Sequence, residues 1–267
     1  GKAAREHRSL GAQMNVQKKY KKSLAHYQKA LVLYIKEFGE GGLNSINALT
    51  RVGMALAYTD STKADLAFKK AINLTNQYYG ANSSLVADIF LDYSGLFRRL
   101  KNHEKSLSYA IKALNIYKHV YGVKHIKLAE AHNMLGTIYS NNKKFHQAVI
   151  HFKSQANIAL NWKNAANYKV FFALYNLGRS YERTQDLNRA KKAYLKSMKY
   201  TRDKEFGSIN PGFALSLARA LQRVGKKQKA KALFREALVY IRKMESVSNK
   251  QYKLLVKEYK TLFGEAY

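Results

Sequence analysis

One spacing recurs six times along this chain of 267 residues, and it constrains what the chain can fold into more than any composition does. A small residue follows an apolar one and is itself followed, three positions on, by a large apolar side chain. A short polar stretch comes next, and then small-x-x-x-large. Leu10-Gly11-x-x-Met14 leads to Ser23, Tyr27 and Ala30, and Val52-Gly53-x-x-Leu56 leads to Ala64, Phe68 and Ala71, one residue short in the turn. Tyr93-Ser94-x-x-Phe97 leads to Ser106, Ala110 and Ala113, and Leu135-Gly136-x-x-Tyr139 leads to Ala148 and Phe152. Leu177-Gly178-x-x-Tyr181 leads to Ala190, Tyr194 and Ser197, and Leu217-Ala218-x-x-Leu221 leads to Ala230, Phe234 and Ala237. The small slot falls at 11, 53, 94, 136, 178 and 218, so the steps are 42, 41, 42, 42 and 40.

Nothing in the motif is chemically reactive, so the spacing serves packing. Residues three and four apart share a helical face, so a glycine beside a tyrosine lets a second helix come close while the ring fills the space beyond. The polar stretch "SNNKK" at 140–144 reads as the turn between two such helices. Each register is therefore an αα-hairpin, and hairpins repeated in phase stack into a solenoid with a concave face.

The pattern resembles the tetratricopeptide repeat, with its W-x-x-L-G-x-x-Y, A-x-x-x-F and A slots, and the resemblance spans essentially the whole chain. The Trp slot falls on residues such as His7 and Leu174, and the closing Pro is missing. The period exceeds the usual ~34 residues, with the extra residues after "ALVLYIKEFG", "LTNQYYG" and "ALNIYKHVYG", which is similar to the repeats of kinesin light chains and their bacterial relatives. The resemblance implies an all-α, right-handed superhelical solenoid that binds other proteins and carries no chemistry or cofactor of its own. The expected hairpins are 3–38, 44–79, 84–121, 126–160, 167–204 and 211–244, within a single domain 1–267. A final helix at 249–263 puts Tyr252, Leu255, Val256, Tyr259, Leu262 and Phe263 on one face, as a cap over the last repeat requires. No matching cap precedes the first repeat. The start "GKAAREHRSL" goes straight into helical pattern and reads as a fragment or mature form, with no signal-peptide core.

Composition narrows function by exclusion. Cysteine is absent, which rules out disulfides, thiol catalysis and Cys-ligated zinc. A single proline and 15 glycines argue against a loop-rich or all-β chain. No apolar run approaches the ~18–20 residues of a membrane span, so the chain reads as soluble, in cytoplasm or periplasm. His119 and His125 flank a turn, and His146 and His151 do not share a helical face, so no metal site is expected. Gly39, Gly41 and Gly42 lack the Lys-Ser/Thr of a phosphate loop. An enzyme is not expected.

Charge is the feature left over. Forty-eight Lys and Arg against 17 acids give a net +31, well beyond what solubility asks. Part lies at turns within hairpins, at Lys18, Lys19, Lys143, Lys144, Lys226 and Lys227, and stacking would align these as a basic edge suited to nucleic acid or another anionic surface. A second set lies on first helices. Arg179 and Arg183 are four apart, and Arg219 and Arg223 take the matching places one repeat on. Arg51, Arg98 and Arg99 are similarly placed, with Asn133 and Asn176 nearby. In the resembled family these slots face the concave groove, which implies binding of an acidic or carboxylate-ended peptide from a partner, with the amides pairing to its backbone. A peptide-sensing regulatory part of a larger bacterial protein is a further alternative. Oligomeric state is not legible.

Overall fold

The computed structural model describes residues 1–202, 210–243 and 249–264, and among them are thirteen α-helices and no strand. The first seven are α1 (Lys2–Val16), α2 (Tyr20–Phe38), α3 (Leu43–Leu56), α4 (Ser61–Tyr79), α5 (Ser84–Arg99), α6 (His103–Tyr121) and α7 (Ile126–Asn141). Then come α8 (Phe145–Asn161), α9 (Asn167–Arg183), α10 (Leu187–Ser197), α11 (Pro211–Arg223), α12 (Lys227–Arg242) and α13 (Asn249–Phe263), with a 3-10 turn at Met198–Tyr200. The ends of the fifth and sixth expected hairpins, 203–204 and 244, lie outside the described residues. The chain divides into two compact units, Gly1–Ile138 and Tyr139–Tyr267.

In the first unit α1 packs on α2, α3 on α4 and α5 on α6. Its main core runs from Tyr27 on α2 through Ile46, Phe68 and Ile89 to Tyr93 and Leu96 on α5. In the second unit α9 packs on α10 and α11 on α12. Phe171, Tyr194, Leu217, Phe234 and Leu238 form its largest core, closed by Tyr259 and Phe263 of α13. The expected apolar face of α13 therefore does cover the last hairpin, with Tyr252, Leu255, Val256 and Leu262 packed at its margin. Each fully buried Leu, Ile or Phe stabilises by roughly 1.5–3 kcal/mol, so these seams dominate the stability of units whose helices are amphipathic rather than apolar throughout.

The small slot faces the aromatic of its own hairpin's second helix. A Cβ built on Gly11 would lie 2.7 Å from the Tyr27 ring, and one on Gly178 would lie 2.5 Å from Tyr194, inside contact distance. The third hairpin solves the same problem differently. Its second helix carries Ala110 in the aromatic slot, and the freed space is used by Ser94 and Ser106, whose hydroxyls each donate to the other's carbonyl at 2.8 and 2.9 Å.

The turns inside hairpins repeat one geometry. The amides of Lys19, Asn102, Lys144, Asp186 and Lys226 each donate to the carbonyl five residues earlier, on Met14, Phe97, Tyr139, Tyr181 and Leu221. In the second hairpin Asp60 reaches Leu56, four back, at 2.7 Å, which accounts for the turn one residue short. The longer closure passes through a left-handed residue: Lys18, Lys101, Lys143, Gln185 and Gly225 have φ of 58°, 57°, 59°, 63° and 74°.

Candidate functional site

The arginines expected to line a groove are dispersed into different roles. Arg219 is held by Glu258 of the capping helix α13 through two hydrogen bonds of 2.6 and 2.8 Å. Arg223 is held by Glu182 on α9 at 2.7 and 3.3 Å, and Glu182 also accepts from the Tyr194 hydroxyl at 2.7 Å. Burial pushes the Glu182 carboxyl up, but the bonds from Arg223 and Tyr194 outweigh it and hold the group below the usual carboxylate range. Both arginines therefore already face a carboxylate of this chain and join neighbouring elements. In the first unit Arg99 lies 3.2 Å over the Tyr58 ring, which stacks on Tyr20 at 3.7 Å. The Arg98 Nε is buried without a hydrogen-bond partner, and Arg51 donates to the Met54 sulfur at 3.1 Å. Asn133 and Asn176 are partly buried on α7 and α9.

Arg179 and Arg183 stand differently. The α9 face that packs inward carries Val170, Phe171, Leu174, Leu177 and Gly178, which leaves the opposite stripe to solvent. Tyr168, Phe172, Asn176, Arg179 and Arg183 fall on that stripe by 3.6-residue spacing. Tyr168 is 50% exposed and Phe172 43%, Phe172 meeting Phe213 edge-on at 5.0 Å. Arg183 sits 5.9 Å from the Phe145 ring, and Arg179 has no hydrogen bond or ion pair among the described residues. The aromatic pair was missed in the sequence because both rings fit the packing spacing of a repeat helix; only its phase puts them off the inward face, and Phe172 still meets the core ring Phe171 edge-on at 5.5 Å.

A second feature lies in the first unit, where α3, α5 and α7 enclose a cavity of about 180 Å³. Asp88, Asp92, Glu130 and Lys127 line it, with Arg51 and Tyr117. Lys127 pairs with Asp88 at 2.7 Å and lies 3.9 Å from Glu130, and the Tyr117 hydroxyl donates to Asp88. Asp92 makes no hydrogen bond or ion pair among the described residues, and burial pushes its carboxyl up to about 6, partly offset by the positive charge of Arg51. In so basic a chain, three carboxylates about one small cavity form a local exception.

The lysines of the expected basic edge occupy the hairpin turns. Lys18 and Lys143 take the left-handed position, and Lys19, Lys144 and Lys226 stand at the N-caps of α2, α8 and α12 with no side-chain capping bond. The equivalent N-caps of α4, α6 and α10 are Asp60, Asn102 and Asp186, which do accept an amide from the first turn. Lys227 is the first residue of α12.

Models of the tetratricopeptide-repeat family match residues 85–161 and 173–204. Residues 85–161 and 173–204 are tetratricopeptide repeats. A curated relative, response regulator aspartate phosphatase A of Bacillus subtilis (strain 168), is 25% identical over 238 residues, covering 81% of this chain and 62% of that protein. The repeat chain thus spans less than two thirds of that relative's length. Among solved structures, BtubC (BKLC) from P. vanneervenii is similar with a TM-score of 0.67 at 17% identity, covering 86% of this chain and 91% of that one. A kinesin light chain of nearly identical TPR-like repeats from Podosopora anserina reaches 0.61 at 13% identity, covering 76% and 97%. These last two show a shared fold. Tetratricopeptide hairpins of this kind make the chain a protein–protein interaction scaffold, and no helix among the described residues is long and apolar enough to cross a membrane.

Proposed function

We propose that this tetratricopeptide chain holds a peptide segment of a partner against the solvent stripe of α9, with Arg179 and Arg183 taking a carboxylate and Tyr168 and Phe172 seating an apolar side chain. The observation that carries the reading is the position of Arg179: an exposed guanidinium in no ion pair or hydrogen bond among the described residues, on one stripe with two exposed rings. A guanidinium binds carboxylate through two parallel N–H donors, and aromatic side chains supply contact area at low entropic cost. Arg219 and Arg223 act as braces for α13 and α9 and stay outside the binding set. The proposal assigns no chemistry to the chain. It accords with a relative whose name describes action on response regulators.

The test is fluorescence anisotropy with a labelled peptide bearing Phe near a free acidic C-terminus, compared with its amidated form. Arg179→Ala with Arg183→Ala should weaken the free acid by about tenfold or more and the amide far less. Equal binding of both forms, or release of phosphate from an aspartyl-phosphorylated response regulator by this chain, would contradict the reading.

A second reading rests on Asp92. A part-buried carboxylate that makes no hydrogen bond or ion pair favours entry of a cation, so the cavity lined by Asp92 suits a lysine, arginine or N-terminal ammonium of a peptide. Binding there should need the ionised acid and weaken as pH falls through about 6. A basic peptide whose affinity is unchanged by Asp92→Asn would refute it.

A further inference from the structure

We infer that the groove between the second helices α8 and α10 is a docking site for an acidic amphipathic helix of a partner protein, on elements separate from the α9 stripe. Both helices pack on α9, and residues of all three line a groove of about 490 Å³, within the range of roughly 300–1,000 Å³ typical of binding sites. Leu174, Leu177 and Tyr181 of α9 form the floor, with Leu160 of α8 at one end. Ala156 of α8 and Ala193 of α10 add only small side chains to the lining. A helix laid between two others on such a floor meets them as ridges meet grooves, anchored by apolar residues at i, i+3 or i+4, and i+7.

The rim decides what kind of helix fits. Lys153 stands on the α8 wall and Lys192 and Lys196 on the α10 wall, all three exposed and none in an ion pair or hydrogen bond among the described residues. Arg189 is the exception, drawn to Asp186 at 3.3 Å and lying 5.8 Å from the Tyr181 ring. No carboxylate lines the groove. Lys192 and Lys196 are one helical turn apart, which repeats the spacing of glutamates at i and i+4 on a helix lying alongside. An apolar floor beneath an uncompensated cationic rim is complementary to a helix with leucines on one face and glutamates flanking them. Such a rim hinders a basic or uniformly apolar partner.

The experiment uses a fluorescein-labelled synthetic four-turn peptide with that pattern, and a scrambled peptide of the same composition and charge. Binding is read by anisotropy and by emission of Trp162, the chain's one tryptophan, which packs against the same core as the floor. The patterned peptide should bind about tenfold or more tightly than the scramble. Lys192→Glu with Lys196→Glu should remove roughly tenfold of that affinity, whereas Lys226→Glu with Lys227→Glu, an equal change in net charge away from the groove, should change it less than about twofold. Circular dichroism shows that each variant stays folded, and Arg179→Ala with Arg183→Ala, which bears on the α9 stripe, should leave this peptide unaffected. The proposal is overturned if neither peptide binds, if both bind alike, or if the two charge reversals act equally. It is overturned too if phosphatidylserine vesicles bind through Lys192 and Lys196 while the patterned peptide does not.

Discussion

Asp92 sits where its charge is least supported, on the wall of the cavity in the first unit, with neither hydrogen bond nor ion pair among the described residues. Its carboxyl is pushed up to about 6 from an ordinary 3.8. Between those two pH values the folded chain holds a proton that the unfolded chain has released, so stability from this group falls as pH rises. Above about pH 6 the full cost stands, roughly 3 kcal/mol. Asp92→Asn should therefore raise the free energy of unfolding by about 1–3 kcal/mol near neutral pH and leave it almost unchanged near pH 4, as read by urea denaturation at both. Equal effects at the two pH values would remove the charge from the explanation. Glu182 has the opposite sign: its depressed carboxyl contributes stability above the ordinary glutamate range and loses it as the solution is acidified.

At the scale of helices, the hairpin turns show where stability has been left unused. Lys144 and Lys226 stand at N-caps that Asp60, Asn102 and Asp186 fill with a side-chain acceptor in sister repeats. A lysine there cannot accept an amide and adds positive charge at the positive end of the helix. Lys144→Asp should stabilise by about 0.5–2 kcal/mol, seen as a higher thermal midpoint. Lys143→Gly should gain roughly 0.5–1 kcal/mol, because Lys143 holds φ of 59° where Gly225 serves the last hairpin; a loss of stability would show that the turn tolerates lysine without strain. The helices themselves were legible because small and aromatic slots must recur for each hairpin to close, and even the short turn at Leu56–Asp60 was visible as a missing residue. The fates of Arg219 and Arg223 were read less well. Their partners lie 39 and 41 residues away, one repeat along the chain, so a search for acids one period from each arginine would have found Glu258 and Glu182. Lys127 and Asp88, 39 apart, obey the same rule. The groove on α8 and α10 left no such mark, since lysines four apart on a second helix read as an ordinary solvated face.

For the whole molecule the question is whether a net charge of +31 acts as a diffuse field or through placed side chains. A field attracts any polyanion, releases counterions and weakens steeply with salt. Placed arginines on a stripe with exposed rings discriminate among carboxylate ligands and lose affinity when those arginines are removed. Calorimetric titration of the acidic peptide and of a generic DNA duplex, each at low and at physiological salt, separates the two most directly. The variants are Arg179→Ala with Arg183→Ala, and the four turn lysines Lys143, Lys144, Lys226 and Lys227 changed to Gln. The arginine variant should lose about tenfold or more in peptide affinity at both salt concentrations, while the lysine variant should bind the peptide within about twofold of the parent. Loss of DNA binding in the lysine variant, with peptide binding untouched by loss of the arginines, would contradict it and make the basic turns the functional surface.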